Sequence, residues 1–177
     1  MCALMTDMIP TWVDGHLTPV DKLTAHLRGL RHRAVSVFVL CKGEILIQRR
    51  AATKYHTPGL WANTCCTHPH WREDPRDCAV RRLSEELGLV GVDPVKVDQI
   101  EYRADVGSGM VEHEVVDLFV ARSARRPEVS ANPDEVQDTC WITLAELEAR
   151  IAADPAAFTP WLKIYLQKHR ASVFGPA

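Results

Sequence analysis

One segment constrains this chain more than any other: a helix over 74–88 whose two ends are written into its own sequence. Asp74 stands at the N-cap, Pro75 at the first helical position and Gly88 just past the end. Between them Ala79, Val80, Leu83 and Leu87 recur at helical spacing and make one apolar face. The flanking stretches follow another pattern. Val35–Leu40 and Glu44–Arg49 read as strands joined at Cys41-Lys42-Gly43, and Gly59–His68 reads as extended. Asp98–Asp105 and Met110–Arg122 read as two more strands, turning at Gly107-Ser108-Gly109. Arg50–Pro58 is a polar loop rich in positive charge, and roughly 127–138 is a loop carrying proline and acids. Thr143–Ala153 reads as a helix, and Thr159-Pro160 caps a last helix to about Arg170. Strands, helix, strands, helices in that order imply an α/β (α+β) fold, a mixed β-sheet sandwiched between helices in a single domain. Residues 1–30, mixed and punctuated by Pro and Gly, are expected to wrap the unit formed by 31–177.

The 177 residues carry a formal net charge of -2, so no global field draws the chain to nucleic acid or an anionic membrane. The strongest apolar stretch, Val35–Leu40, is far too short to span a bilayer. No basic stretch followed by an apolar run opens the sequence, which argues against a secretory signal. Met1, Met5 and Met8 are each possible starts. Of the six cysteines (Cys2, Cys41, Cys65, Cys66, Cys78 and Cys140), none forms a C-x-x-C pair, and the neighbours Cys65 and Cys66 are poorly placed to bond. This usage fits a reducing cytoplasm.

Several constellations could carry chemistry. In an extended Cys66-Thr67-His68, a thiol and an imidazole share one face. Taken alone, the pair is more readily a buried Cys and a surface His. Glu112 and Glu114 share a strand face with Val116, Leu118 and Val120, so two carboxylates end an apolar stripe. Such a pair either frays into solvent, or raises a pKa, or recruits a cation. His26 and His32 with His68 complete a three-His, two-Glu set of N and O donors suited to zinc, manganese or magnesium. On the helix, Arg81–Glu85 and Arg82–Glu86 are i,i+4 pairs, ordinarily a solvated face, though the adjacent acids Glu85 and Glu86 could hold Mg²⁺ against a diphosphate. The chain has no Gly-rich phosphate loop, so phosphates would fall to Lys22, Arg49, Arg50, Lys54 and Arg82. Trp61, Tyr102 and Trp161 are core material by default, and an aromatic face can also stabilise a cation.

Together these residues resemble a known family. Pro58-Gly59-Leu60-Trp61-Ala62-Asn63-Thr64-Cys65-Cys66-Thr67-His68-Pro69 is similar to the cysteine signature of type I isopentenyl-diphosphate isomerases. Tyr102-Arg103-Ala104 with Val111-Glu112-His113-Glu114-Val115 resembles their second signature, and Phe158-Thr159-Pro160-Trp161 their third. The stretch 67–89 is similar to a Nudix box, G-x5-E-x7-R-E-U-x-E-E-x-G-U with U apolar, matched by Glu73, Arg81, Leu83, Glu85, Glu86, Gly88 and Leu89. Thr67 stands in place of its Gly and Arg82 in place of its first Glu after Arg81.

The resemblance implies a Nudix-like catalytic domain over 31–177. It would interconvert isopentenyl and dimethylallyl diphosphate through a tertiary carbocation, feeding isoprenoid biosynthesis. It assigns His26, His32, His68, Glu112 and Glu114 to one divalent metal, Mn, Zn or Mg. Cys66 and Glu114 become the proton-transfer pair, with Tyr102 beside Glu114 and Trp161 facing the hydrocarbon. Glu86 and the Cys66 backbone carbonyl would hold a second ion, Mg²⁺, with the substrate, and Lys22, Arg50, Lys54 and Arg82 would hold the diphosphate. The expected partner is a small isoprenoid diphosphate, with no nucleic acid or membrane insertion, and the expected state is a cytoplasmic monomer. Two competing readings are a Nudix pyrophosphohydrolase working through Glu85 and Glu86, and a non-catalytic domain that zinc stabilises. Arg82 removes a carboxylate from the hydrolase set and favours the isomerase.

Overall fold

A computed structural model describes residues 8–175. Residues 1–7, with Cys2, Met1 and Met5, lie outside the described residues. The elements run β1 (Met8–Val13), β2 (His16–Asp21), α1 (Lys22–Leu27), β3 (Arg31–Cys41), β4 (Glu44–Arg50), β5 (Trp61–Ala62) and β6 (Cys65–Thr67). They continue with α2 (Pro75–Leu87), β7 (Val95–Gly107), β8 (Met110–Ser123), β9 (Val136–Thr143), α3 (Leu144–Ala153), α4 (Pro160–Lys168) and α5 (Arg170–Phe174).

The strands form one mixed sheet. β3 and β8 run parallel from Arg31↔His113 to Cys41↔Ser123. The other pairings are antiparallel: β7 on β8, β6 and β4 on β3, and β5 and β9 on β4. Side chains alternate across this sheet as the pleat requires. On β3, Ala34, Phe38 and Leu40 face one core while Val35, Val37 and Val39 face the other. The first core also takes Val116, Leu118 and Val120 of β8, and is covered by Leu147 of α3, by Trp161, Leu162, Tyr165 and Leu166 of α4, and by Val173 of α5. The second is covered by Cys78, Ala79, Leu83 and Leu87 of α2. Helices therefore lie on both faces of the sheet.

α2 matches its expected span. The Asp74 side chain accepts from Arg76 N, Pro75 opens the helix, and Gly88 ends it in the left-handed conformation at φ 63. A β-carbon on Gly88 would lie 2.8 Å from the Ser130 carbonyl oxygen, because the loop before β9 packs directly on this cap. Gly88→Ala should therefore cost about 1–3 kcal/mol through backbone strain alone, read as a melting temperature lower by several degrees. An unchanged melting curve would show that the cap and loop can part freely.

Three regions depart from the sequence expectation. Residues 8–27 form a β-hairpin and a short helix, and β1 joins β3 at Thr11↔His32. The turn is Asp14-Gly15, both at positive φ, and Pro10 sits opposite Pro19. Proline is tolerated there because this hairpin is the margin of the sheet. The loop expected to reach 138 ends earlier, at β9, which pairs along β4. Last, Thr159 takes N-cap backbone angles but makes no side-chain cap bond, and a break at His169 separates α4 from α5.

Candidate active site

The register of three strands builds one end of the site. His32 of β3 is paired with Glu114 of β8, and Glu114 in turn with Tyr102 of β7. Cys66 of β6 lies opposite Ser36 of β3. Alternation sends the Cys65 side chain into the α2 core and leaves Cys66 against the α4 core, so the two adjacent thiols serve opposite faces. Thr67 pairs with Val35 in ordinary extended backbone, so its replacement of Gly strains nothing.

His26 comes from α1, His68 from the end of β6, Trp161 from the first turn of α4, and His56 from the loop after β4. His26, His32, His68 and Glu114 each offer a donor atom, all within 4.8 Å of one another. Glu112 joins a second group, with His26 and His56. Nδ1 of His26 donates to the Lys22 carbonyl at 2.7 Å, and Nδ1 of His32 donates to that of Leu30 at 2.7 Å. A neutral ring that donates from Nδ1 presents a lone pair at Nε2, the arrangement of a histidine prepared for a metal. Nε2 of His26 is buried and makes no hydrogen bond. His32 Nε2 lies 3.2 Å from His68 Nε2, which is 2.8 Å from Glu114 Oε1. Converging lone pairs with an orphaned buried nitrogen fit a divalent cation held by N and O donors.

The two carboxyls differ in their surroundings. Burial, with the Glu114 charge alongside, pushes the Glu112 carboxyl up. Burial also opposes ionisation of Glu114, but the imidazoles of His32 and His68 outweigh it and hold that carboxyl well below the usual range. Tyr102 Oη is 2.6 Å from Glu114 Oε2 and 2.8 Å from Glu112 Oε2. A hydroxyl has one hydrogen to give. It is shared between the two carboxyls, and the shorter contact is the one to Glu114.

Burial pushes the Cys66 thiol well up, so it stays protonated. Its proton has a defined direction. Asn63 Nδ2 donates to the Val37 carbonyl and to Ser36 Oγ, both at 2.9 Å, which turns Asn63 Oδ1 towards Cys66. The thiol donates to that oxygen at 3.0 Å. Asn63, Ser36 and His56 were not singled out from sequence. No periodic pattern marks them, and only Asn63 lies within a recognised motif.

A cleft joins Cys66, Thr67, His68, Glu112, Glu114 and Trp161 to the cations Lys22, Arg50, Lys54 and Arg82 and to Glu86. Lys22, Arg50, Lys54, Cys66, His68, Arg82, Glu86, Glu112, Glu114 and Trp161 border it, and His26 and His32 lie in the His cluster beside it. Tyr102 does neither and reaches the site through Glu112 and Glu114, while Arg49 lies outside it and donates to the Gly59 carbonyl. A larger cavity of ≈ 690 Å³, next to Arg33, Asp74 and Lys96, contains none of them. Arg50 is buried, makes no ion pair among the described residues, and donates to the carbonyls of His56 and Thr57 at 3.2 Å. A buried guanidinium without a carboxylate is suited to an anionic ligand. The same bonds brace Thr57, a β-branched residue held at φ 46. Glu86 is buried, 2.6 Å from Arg82 and 2.9 Å from Gln48 Nε2. The Trp161 ring lies 5.4 Å from the Arg50 guanidinium and is also fully packed into the α4 core.

Comparison with known proteins bears on this geometry. Residues 30–162 match the NUDIX domain. The chain is 60% identical over 171 residues to "Isopentenyl-diphosphate Delta-isomerase" of Dinoroseobacter shibae, covering 97% of each chain. It is 58% identical over 173 residues to the protein of that name from Jannaschia sp., covering 98% of each. Among solved structures, a MutT NUDIX hydrolase from Burkholderia pseudomallei superposes with TM-score 0.60 at 22% identity, over 78% of this chain and 97% of that one. A MutT protein from Methanosarcina mazei gives TM-score 0.59 at 15% identity, over 79% and 93%. These likenesses to solved structures concern the fold alone.

Proposed function

The chain belongs to the family of NUDIX-domain isopentenyl-diphosphate Delta-isomerases, and from that premise we propose how its residues interconvert isopentenyl and dimethylallyl diphosphate. The observation that carries the reading is a partly buried thiol and a buried, Tyr102-bonded carboxylate in one cleft bordered by an indole and four cations.

Shifting an isolated double bond requires a proton added at C4 and one removed from C2, with a tertiary cation at C3 between them. Cys66 and Glu114 are the two proton-transfer groups, acting as general acid and general base. Tyr102 orients Glu114. Trp161 offers the developing cation a π-face without a nucleophilic atom, and the cation must be kept from water, which would trap it as an alcohol. Lys22, Arg50, Lys54 and Arg82 receive the diphosphate.

His26, His32, His68, Glu112 and Glu114 would hold a divalent ion, Mn, Zn or Mg. Glu86 and the Cys66 carbonyl would hold Mg²⁺ with the substrate. A cation so held supplies a fixed positive charge that tunes the acidity of Glu114 and neutralises phosphate oxygens. One chain provides the whole constellation, which suits a monomer acting in the cytoplasm on a small isoprenoid diphosphate and supplying isoprenoid biosynthesis. No described helix is long and apolar enough to cross a membrane.

The pyrophosphohydrolase reading is weaker because Arg82 replaces an acid of the box and engages Glu85 and Glu86 at 2.9 and 2.6 Å. Incubation with isopentenyl diphosphate and Mg²⁺ should yield dimethylallyl diphosphate, while nucleoside diphosphate derivatives should not be cleaved at the pyrophosphate bond to nucleoside monophosphate. Rapid cleavage of the latter would favour the hydrolase.

Trp161 provides a narrower test. Cation–π attraction is worth roughly 0.5–2 kcal/mol, so Trp161→Phe should slow turnover about ten-fold. Trp161→Leu should cost more. Turnover and melting temperature measured on both variants separate the roles: activity that merely follows stability would make Trp161 a core anchor.

A further inference from the structure

The loop between β8 and β9 carries an acid into the cluster of cations. Its backbone is fastened on both sides. Ser130 N donates to the Leu87 carbonyl at 2.8 Å and Asn132 N to that of Glu86 at 2.9 Å, tying the loop to the end of α2. Glu135 N donates to the Asn132 carbonyl, and the Glu135 carbonyl accepts from Ala51 N at 3.0 Å, tying it to the cationic loop after β4. So fixed, Glu135 pairs through Oε2 with Lys54 Nζ, and its Oε1 lies 3.3 Å from Arg82 Nη2. A cavity of ≈ 150 Å³ beside the cleft is lined by these three residues together with Lys22, Thr67 and Arg81.

Carboxylate and phosphate oxygens are alternative acceptors for the same donors. We infer that Glu135 is a specificity-determining residue: its carboxylate occupies the place of the diphosphate between Lys54 and Arg82, and so selects a diphosphate carrying a divalent cation over the bare anion. The inference rests on the reading that Lys54 and Arg82 receive the diphosphate. The crowded cations need a counter-charge, and Glu135 and Glu86 supply it. Burial brings the Lys54 ammonium down to about 8, Glu86 raises it, and Arg50, Lys22 and Arg82 press it lower. An incoming anion displaces the carboxylate towards solvent, where the Glu135 side chain is already 23% exposed. It still faces the charges of Glu135 and Glu86 across a few ångströms. That repulsion falls on a bare diphosphate and is relieved when the ligand brings a cation.

Titration calorimetry of the full, metal-loaded chain with inorganic pyrophosphate, first without added Mg²⁺ and then with it, tests this. Without added Mg²⁺, Glu135→Gln, which keeps size and an acceptor but drops the charge, should bind about tenfold tighter than wild type. The gap should narrow with Mg²⁺ and with added salt. Glu135→Asp, which keeps the charge, should stay at or near wild-type affinity. If Glu135 merely braces Lys54 and Arg82, Glu135→Gln will bind equally or more weakly, and the inference is overturned. Lys54→Ala and Arg82→Ala, titrated alongside, should both bind more weakly. If neither does, the assignment of the diphosphate falls and this inference with it. If both do and Glu135→Gln still gains nothing, the inference alone falls.

Discussion

Cys66→Ala should lower isomerisation by about 10²–10⁴-fold, the range expected when a general acid or base is removed, with the fold retained. Cys66 is only partly buried among core residues, and its side chain turns into the cleft towards Ser36 and Asn63. Removing the sulfur therefore removes the proton carrier and leaves a small void beside two polar side chains that can still bond each other. Cys65→Ala is the internal control. Its thiol is fully buried in the α2 core with Cys78 and Leu83, so its loss should lower stability by about 1 kcal/mol and leave turnover near wild type. Turnover and melting temperature of the two variants should thus move in opposite patterns. Equal activity in both would remove Cys66 from the reaction.

Glu114→Gln should be as severe, for two reasons acting at once. Glu114 is the carboxylate shared by His68 at 2.8 Å, His32 at 3.6 Å and Tyr102 at 2.6 Å. The amide keeps the shape but gives up the charge that holds a cation and the basicity that accepts a proton. Turnover should fall at least about 10²-fold, and elemental analysis should find the purified variant depleted of divalent metal. His68→Asn and Glu112→Gln should also lose metal, since an uncharged, shorter or weaker donor replaces a ligand. Full metal content in these variants, whatever their activity, would contradict the ligand assignment.

Why these residues were legible in the sequence follows from locality. α2 carries its own stop signals at Asp74, Pro75 and Gly88, so no distant contact was needed to place it. The period-two rule separated Cys65 from Cys66 and set Glu112 and Glu114 on the face of Val116, Leu118 and Val120. The three histidines and two glutamates were legible as a donor set, but their convergence was not, because it depends on the β3–β6 and β3–β8 registers and on α1. β9 was missed because, as a strand hydrogen-bonded to β4 alone, it buries little beyond Val136 and Ile142 and shows no alternation. The N-terminal hairpin was missed although Asp14-Gly15 is a strong turn signal; the prolines beside it read as loop. His56 and Glu135 sit in irregular loops, where only the folded geometry brings a side chain to the cleft.

The central claim is that this site moves a double bond by adding one proton and removing another. Its most direct test is the reaction of isopentenyl diphosphate with the wild-type protein and Mg²⁺ in D₂O, followed by NMR. The account predicts dimethylallyl diphosphate with deuterium in a methyl group, and, as the reaction reverses, deuterium at C2 of the recovered substrate. Dimethylallyl diphosphate formed without deuterium, or phosphate released with the double bond unmoved, would contradict it.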